Sequence, residues 1–364
     1  MIRHSKPYFD ERELGFVDKI LKSANLSKNI YVQKFEEEFS KFIDKRYSVS
    51  TNSGTNALFL SLYSIKEIKK ISGYVLIPSF NCTAILNAAL MAGYKPIMCD
   101  VNKIDFSYDI DKAKKLIDKN KIKIVILPYL FGYPSSSVFE FKKMGLYVIE
   151  DITQALGSSI NGVMTGKIGD IVVSSFYATK MITTLGEGGI ISTDDREIYE
   201  FVKDVIDYDK KDDFRLRFSF KMNEAEGYFG ISQLKRINFI IRKRRKIAKL
   251  YSDIFSKKKG VKIFYNNVPD AEVVFYRYIV ELIDYKRDEI IDRFKKYGIE
   301  VSKLYPPLDV YYKKKSSSPV STYIYNNFIS VPIYPALRDD EIKKIIDSIE
   351  KIFLWKNFLF YFCW

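Results

Sequence analysis

Short apolar runs alternate with helical patterns between residues 46 and 195, and this alternation constrains the fold more than any other feature of the chain. The runs are apolar throughout and rich in Val and Ile, which is typical of strands buried on both faces of a mainly parallel sheet. Such sheets bind ligands at the carboxyl ends of their strands. The sequence therefore predicts an α/β unit with strands at RYSVS, YVLIP, KPIMCDV, IKIVILPYL and LYVIED.

The pattern changes after this unit. A long, basic helical stretch from Glu224 to Phe255 is predicted to connect the sheet to a smaller α+β region. We expect a large α/β domain at residues 1–245 and a small α+β domain at residues 246–364. The N-terminal segment, about 30 residues long, is expected to pack on the small domain.

The last thirteen residues, Ile352–Trp364, are mostly apolar and aromatic. They are too few to span a bilayer, so we expect them to pack on the small domain or on a second subunit. Contact with a membrane surface is the alternative.

The composition argues against several classes of protein. His4 is the only histidine and lies far from every motif below, so neither a Ser-His-Asp triad nor a metal site is expected. Three scattered cysteines do not form a disulfide framework. The net charge of +14 comes from lysines spread along the whole chain, which favours a solvated surface, and no nucleic-acid-binding module is recognisable.

Targeting signals and nucleotide-binding loops are not recognisable either. No run approaches twenty apolar residues and the N-terminus lacks the apolar core of a signal peptide, so we expect a cytoplasmic protein without a transmembrane segment. The run Gly162–Lys167 is one residue short of a P-loop, and Gly186–Gly189 is not followed by the third glycine of a dinucleotide fingerprint. Neither an ATPase nor a dehydrogenase is therefore indicated.

Two strand-end segments carry groups suited to an anion and to a cationic ring. Ser53, Gly54 and Thr55 follow the strand RYSVS and open a helix, where free amides and hydroxyls favour a phosphate. An ordinary helix cap is the alternative. Asp151 ends the run LYVIED, and a protonated pyridine nitrogen would give this carboxylate a partner. An Asp that caps the next helix is the alternative there.

Two further strand ends carry a lysine and an aromatic ring. Lys180 lies between the apolar strand DIVV and the glycine-rich turn LGEGG. A lysine that attacks an aldehyde must spend time neutral, and we expect a pocket near cationic groups to lower its pKa. A solvated lysine is the alternative. Phe80 follows the strand YVLI and could lie flat on a heteroaromatic ring or belong to the core.

Taken in order, these segments resemble the DegT/DnrJ/EryC1/StrS family of pyridoxal-phosphate-dependent sugar aminotransferases. The resemblance extends over nearly the whole chain and is carried by TNSGTNAL, IPSFNCTAILNAALMAG, VIEDITQALGSS, SSFYATK, LGEGGIISTDD and ISVPIYPALRDDEI. It implies the aspartate-aminotransferase-like fold type I, with pyridoxal 5'-phosphate as cofactor and pyridoxamine phosphate as its second form.

The resemblance also implies roles for individual residues. Lys180 would be the Schiff-base lysine and proton shuttle, and Asp151 would pair with the pyridine nitrogen. Gln154 would lie near the ring's 3-hydroxyl and Phe80 would stack on the ring. The phosphate would be held by Ser53, Gly54, Thr55 and Ser175, joined by Ser219 and Lys221 from the neighbouring chain of a homodimer with shared active sites.

This sequence departs from the family where members have histidine. Tyr129, Tyr177 and Asp309 stand at those positions, which are implied to surround the substrate. The implied reaction moves an amino group from an amino acid, glutamate by resemblance, to a nucleotide-linked keto sugar in the biosynthesis of surface polysaccharide or a secondary metabolite. A catalytically inactive binding protein and a sugar dehydratase are the alternatives; the dehydratases of this type replace the Schiff-base lysine with histidine.

Overall fold

The computed structural model describes residues 1–353 except residues 12, 14, 17–21, 23–25, 28 and 314–316. The strands, in chain order, are β1 (Tyr47–Thr51), β2 (Tyr74–Pro78), β3 (Lys95–Cys99), β4 (Ile124–Pro128), β5 (Tyr147–Asp151), β6 (Ser159–Ile160), β7 (Val163–Met164), β8 (Ile171–Ser175), β9 (Gly189–Thr193), β10 (Val261–Ile263), β11 (Ala271–Glu272), β12 (Tyr278–Leu282), β13 (Ser302–Lys303) and β14 (Phe328–Val331).

The helices, numbered in the same way, are α1 (Ile30–Ile43), α2 (Gly54–Ile68), α3 (Ala84–Met91), α4 (Ile110–Asn120), α5 (Ser137–Lys143), α6 (Arg196–Val205), α7 (Glu224–Lys235), α8 (Ile237–Phe255), α9 (Arg287–Lys296), α10 (Leu308–Lys313), α11 (Pro319–Asn327) and α12 (Asp339–Ile352).

The largest sheet has seven strands in the order β1-β9-β8-β5-β4-β2-β3. Strands β3, β2, β4, β5 and β8 are parallel to one another, whereas β9 runs antiparallel to both β8 and β1. The predicted α/β unit with a mainly parallel sheet is therefore confirmed.

Alternate residues of the central strand β4 explain why its sequence is apolar throughout. Val125 and Leu127 belong to one apolar cluster, and Ile124 and Ile126 belong to another. Successive side chains of a strand point to opposite faces, so both faces of this sheet are buried. Residues of helices α1, α4, α5 and α7 pack in the first cluster, and residues of α2, α3 and α6 pack in the second.

A second sheet, antiparallel in the order β10-β12-β14-β13, lies in the C-terminal part of the chain. Its apolar cluster includes residues of α8, α9 and α12, and also Ile2, which pairs with Ile299. The first half of α8 packs in the cluster of the large sheet, and the second half packs in this one. The expected domain boundary at residues 245/246 falls inside this helix, and the division into domains stays a prediction.

Only the start of the apolar C-terminal segment falls within the described residues. Phe353 is buried, with its ring centre 5.5 Å from that of Phe255 and 5.1 Å from that of Tyr285. Residues 354–364, on which the packing prediction depends, lie outside the described residues. In the part of the chain that is described, no helix combines the length and apolar character that crossing a membrane requires.

Candidate active site

A cavity of about 200 Å³ opens where the carboxyl ends of β4, β5 and β8 meet the N-terminus of α2. Ligands of parallel sheets bind at this edge. Residues that the sequence singled out from distant segments line it together. The lining residues are Ser53, Gly54, Thr55, Leu58, Asn81, Cys82, Ala84, Pro128, Tyr129, Leu130, Asp151, Thr153, Gln154, Ser175, Tyr177, Lys180 and Glu187.

The N-terminus of α2 forms one wall. Ser53 caps the helix in an extended conformation, and its hydroxyl accepts a hydrogen bond from the Asn56 N–H (3.2 Å). A Cβ atom at Gly54 would lie 2.4 Å from the Cβ of Ser175, so only glycine allows α2 to begin this close to β8. The first-turn amides of a helix carry partial positive charge, and this wall is therefore suited to a phosphate.

Asp151 ends β5 and also lines the cavity. Its Oδ1 accepts a hydrogen bond from the Thr153 N–H (3.0 Å). Burial raises the pKa of Asp151; its hydrogen bonds to Thr153 and the charge of Lys180 act against this rise. A cation placed against this carboxyl would favour its ionised form. The carboxyl is thus suited to pair with a protonated ring nitrogen.

Glu150 anchors the end of the same strand, a role that the sequence analysis did not assign. It is fully buried and accepts hydrogen bonds from the Tyr129 hydroxyl (2.6 Å) and from the N–H groups of Gly166 (2.8 Å), Ile168 (3.0 Å) and Gly169. Buried carboxylates require such partners. Since Glu150 directly precedes Asp151, these bonds fix the strand end from which Asp151 extends.

Lys180 lies in the turn between β8 and β9, and its Nζ is 5.8 Å from the centre of the Tyr276 ring. Burial opposes the charge on its amine, but the combined electrostatic effect of the neighbouring acidic groups, of which Tyr276 and Tyr305 contribute most, outweighs burial and raises the pKa of Lys180 above the ordinary lysine value. Cys82 and Asp151 act in the same direction. The expected lowering of this pKa is wrong, because the groups that act on the amine are acidic rather than cationic.

Gln154 connects the cavity to the C-terminal part of the chain. Its Oε1 accepts a hydrogen bond from the Phe131 N–H (2.9 Å), and its Nε2 donates to the Tyr305 hydroxyl (3.3 Å). Both ends of the amide are therefore held. Gln154 can contact a ring substituent in the cavity only through the lone pairs and the N–H that remain.

One polar group in the lining has no partner. The Nδ2 of Asn81 is buried and makes no hydrogen bond to any described residue. Buried polar groups are normally hydrogen-bonded, so this amide is suited to contact a polar ligand. With the α2 N-terminus for a phosphate, Asp151 for a ring nitrogen and Lys180 for an aldehyde, the lining fits pyridoxal phosphate.

Comparison with known proteins agrees with this fit. A sequence profile of the DegT/DnrJ/EryC1/StrS aminotransferase family matches residues 7–350. The chain belongs to this family. The chain is similar to GDP-perosamine synthase of Escherichia coli O157:H7, with 26% identity over 96% of this chain and 97% of that protein. A relative in Saccharopolyspora spinosa, dTDP-4-dehydro-2,3,6-trideoxy-D-glucose 4-aminotransferase, is 27% identical over 96% of each chain.

The solved structures agree on the fold. Helicobacter pylori PseC, an aminotransferase involved in the biosynthesis of pseudoaminic acid, superposes with a TM-score of 0.89 at 24% identity, over 96% of this chain and 98% of that one. The chain therefore has fold type I of the pyridoxal-phosphate-dependent transferases, as the resemblance implied. It is an aminotransferase of the DegT/DnrJ/EryC1/StrS family.

Phe80 does not have the position expected for a residue that stacks on a cofactor ring. It is fully buried, does not line the cavity, and packs edge-to-face on Phe131 and Tyr305 at centroid distances of 6.0 and 6.1 Å. The expected stacking role is wrong because Phe80 pairs with Pro307 and joins the core, and the next two residues, Asn81 and Cys82, face the cavity instead. Burial raises the pKa of the Cys82 thiol.

The three residues that replace family histidines have three different environments. Tyr129 lines the cavity but is buried and donates its hydroxyl proton to Glu150. Tyr177 also lines the cavity and is 45% exposed, so it can meet a substrate at the mouth.

Asp309 does not line this cavity, and its contact with substrate stays a prediction. It is fully buried, and its Oδ2 accepts hydrogen bonds from the Ser317 N–H (2.6 Å) and from the hydroxyls of Ser317 (3.2 Å) and Ser318 (3.0 Å). Through these bonds the Asp309 carboxylate holds the segment that follows α10.

Ser219 and Lys221 do not line the cavity of their own chain. The Lys221 ammonium pairs with Asp207 and Asp209, at 2.8 Å each, and these bonds raise its pKa. Among the described residues that line the cavity, Lys180 alone is a cation. The predicted contribution of Ser219 and Lys221 from a neighbouring chain stays a prediction.

Proposed function

We propose that this enzyme uses pyridoxal phosphate to move an amino group from an amino acid, with glutamate as the expected donor, to the keto group of a nucleotide-linked sugar. The donor leaves as its 2-oxo acid, and the carbonyl of the sugar becomes a carbon that bears an amine. Two relatives support the substrate class, since one is named for a GDP-linked product and the other for a dTDP-linked 4-dehydro sugar. Amino sugars of this kind would serve a surface polysaccharide or a secondary metabolite.

The observation that carries the proposal is the shared position of Lys180 and Asp151 in one cavity beside the N-terminus of α2. When bound, pyridoxal phosphate supplies an aldehyde that condenses with amines and a ring that withdraws electrons. The chain supplies an amine, an acid and an anion site around that volume. This set of groups matches the three parts of the cofactor.

The residues of the cavity would hold the cofactor and transfer the proton. Ser53, Thr55 and the amides at the start of α2 would hold the phosphate. Asp151 would keep a proton on the ring nitrogen, and Glu150 holds the strand end that carries it. Lys180 would bond the aldehyde and, once displaced by the donor amine, would move the proton at the substrate carbon.

The proton on Lys180 has to leave before its amine can bond an aldehyde. The phenols and the carboxyl around it raise its pKa, so the amine of the free site is charged at neutral pH. That proton must leave to solvent or to a base before the bond can form.

The proposal includes a homodimer in the cytoplasm. Within the described part of one chain, Lys180 is the single cation that lines the cavity, whereas a doubly charged phosphate is best bound by several donors and cations. Ser219 and Lys221 of a second chain would complete the site. This part of the proposal also accounts for the exposed apolar side chains of Phe214 and Leu216 in the same loop.

A screen of nucleotide-linked sugars tests the function. The purified protein, supplied with pyridoxal phosphate and glutamate, is incubated with 3-keto and 4-keto sugars linked to GDP, dTDP or UDP, and the products are read by mass spectrometry. We expect one class of sugar to exchange its carbonyl oxygen for an amine, with formation of 2-oxoglutarate. Lys180→Ala should give no product. If glutamate and the other amino acids leave the visible absorbance of the cofactor unchanged, the proposal is wrong.

A further inference from the structure

Three cations surround one tyrosine ring beside the active-site lysine. Lys180 Nζ and the guanidinium carbons of Arg244 and Arg277 lie 5.8, 5.8 and 6.0 Å from the centre of the Tyr276 ring. Concentrated positive charge in a partly buried region attracts anions. Each cation therefore requires a partner that balances its charge.

Arg244 already has structural partners. It is buried in α8, and its Nη1 donates to the carbonyls of Phe275 (3.2 Å), Tyr276 (3.0 Å) and Ile333 (2.8 Å). Burial lowers its pKa to about 10. Arg244 thus holds the segment before β12 against the segment after β14. Its Nε is buried without a described partner, as that of Arg277 is, but Arg244 lines neither the active-site cavity nor the small cavity described below.

Arg277 has no such partners. Its Nε is buried without a hydrogen-bond partner, and no described carboxylate lies within ion-pair distance of its guanidinium. The guanidinium carbon lies 5.4 Å from the centre of the Tyr305 ring. Arg277 therefore lies next to both phenols that contact the active site, with donors that the fold does not use.

Arg277 also lines a second, smaller cavity of about 60 Å³. The other described residues that line this cavity are neutral donors or apolar groups: His4, Ser5, Thr179, Tyr276 and Ile333. Burial and the two arginines lower the pKa of His4 to about 3, so it is uncharged at neutral pH. Among these residues nothing acidic at neutral pH competes for Arg277.

We propose that Arg277 binds a carboxylate of the amino donor. An arginine fork matches a carboxylate with two parallel hydrogen bonds. The small cavity has room for a group of this size but not for the diphosphate and nucleoside of the sugar substrate. Lys180 Nζ and the Arg277 guanidinium carbon lie 5.8 and 6.0 Å from the centre of the same Tyr276 ring, and a donor held at Arg277 by a carboxylate would present its amine to Lys180.

This inference rests on the proposed function, because it assigns one substrate of that reaction to one residue. It also separates the two half-reactions: the reaction with the amino donor requires Arg277, whereas the reaction with the keto sugar does not.

Binding of glutarate, a dicarboxylate without an amine, tests the site directly. Isothermal titration calorimetry with the cofactor-loaded protein should show that Arg277→Met raises the Kd by at least about thirtyfold, as expected when one partner of a desolvated charge pair is removed. Arg277→Lys should recover only part of the affinity, since a lysine lacks the fork. The matched control is Arg242→Met, which removes an exposed arginine of α8 and should bind like the wild type.

The two half-reactions provide the second readout. We expect Arg277→Met to lower kcat/KM for glutamate by a similar factor and to leave the rate of the pyridoxamine-phosphate-loaded protein with its keto sugar unchanged. Equal losses in both halves, a loss confined to the sugar half, or unchanged glutarate binding would each overturn the inference. A wild-type protein that binds glutarate through Arg277 but aminates no sugar would overturn the proposed function instead.

Discussion

Burial at the end of β5 governs the ionisation of Asp151. Burial raises its pKa despite the hydrogen bonds to Thr153 and the charge of Lys180, and a protonated ring nitrogen would reverse that effect. We predict that Asp151→Asn lowers kcat/KM by about a hundredfold, since removing one partner of a buried charge pair costs about 3 kcal/mol. The amide can still accept the Thr153 hydrogen bond, so the melting temperature should change little. Full activity in steady-state assays would contradict the assigned role.

His4, the only histidine, gives the chain an identifiable sensitivity to acid. Its pKa is lowered from 6.5 to about 3 by burial and by Arg277 and Arg244. Between these values the unfolded chain binds a proton that the folded chain does not, so this group lowers the free energy of unfolding as pH falls below 6.5. Urea titrations at about pH 7.5 and about pH 5 should show a smaller decrease for His4→Asn than for the wild type. Equal decreases would contradict this assignment.

The sequence indicated which residues gather in the cavity better than it indicated how each is oriented. Lys180, Asp151 and Gln154 follow predicted strands, and the edge of a parallel sheet brings such positions together. Phe80 lies in a loop, where its orientation depends on a distant pairing with Pro307 that periodicity does not encode. Arg244 lies in the basic helical stretch that was predicted to connect the two regions, and the composition of that stretch did not indicate that this arginine is buried among backbone carbonyls.

At the scale of elements, apolar runs predicted the parallel strands because both faces of the sheet are buried. The two-residue strands β6, β7 and β11 were not predicted, since a segment that short has no periodicity to detect. The antiparallel pairing of β9 with β8 and β1 was also not predicted, because strand direction depends on the connections and not on composition.

The contact between α2 and β8 determines the shape of the phosphate wall. Gly54→Ala would place a Cβ atom 2.4 Å from the Cβ of Ser175, and overpacking of this kind costs about 1–3 kcal/mol. We predict a lower free energy of unfolding in urea and a weaker affinity for pyridoxal phosphate, measured by titration of its visible absorbance. The double variant Gly54→Ala/Ser175→Gly removes the clashing atom and should recover part of the stability. No recovery would contradict this account of the contact.

At the scale of the whole molecule, the presence of one cation among the described residues of the cavity lining predicts that two chains share each site. Lys180→Ala and Lys221→Ala are each expected to be nearly inactive alone. After unfolding and joint refolding, half of the dimers would be mixed and would carry one intact site, so activity should return to about a quarter of the wild-type value. No recovery on mixing, with both variants dimeric by sedimentation, would show that each site belongs to one chain.

The most direct test asks whether the Lys180 amine bonds an aldehyde inside this cavity. Protein loaded with pyridoxal phosphate is reduced with sodium borohydride, digested and mapped by tandem mass spectrometry. We predict a phosphopyridoxyl group on Lys180, with no visible absorbance band and no modified peptide in Lys180→Ala. A modification on another lysine of the wild-type protein, or an unmodified Lys180 in protein that retains its cofactor, would contradict the account.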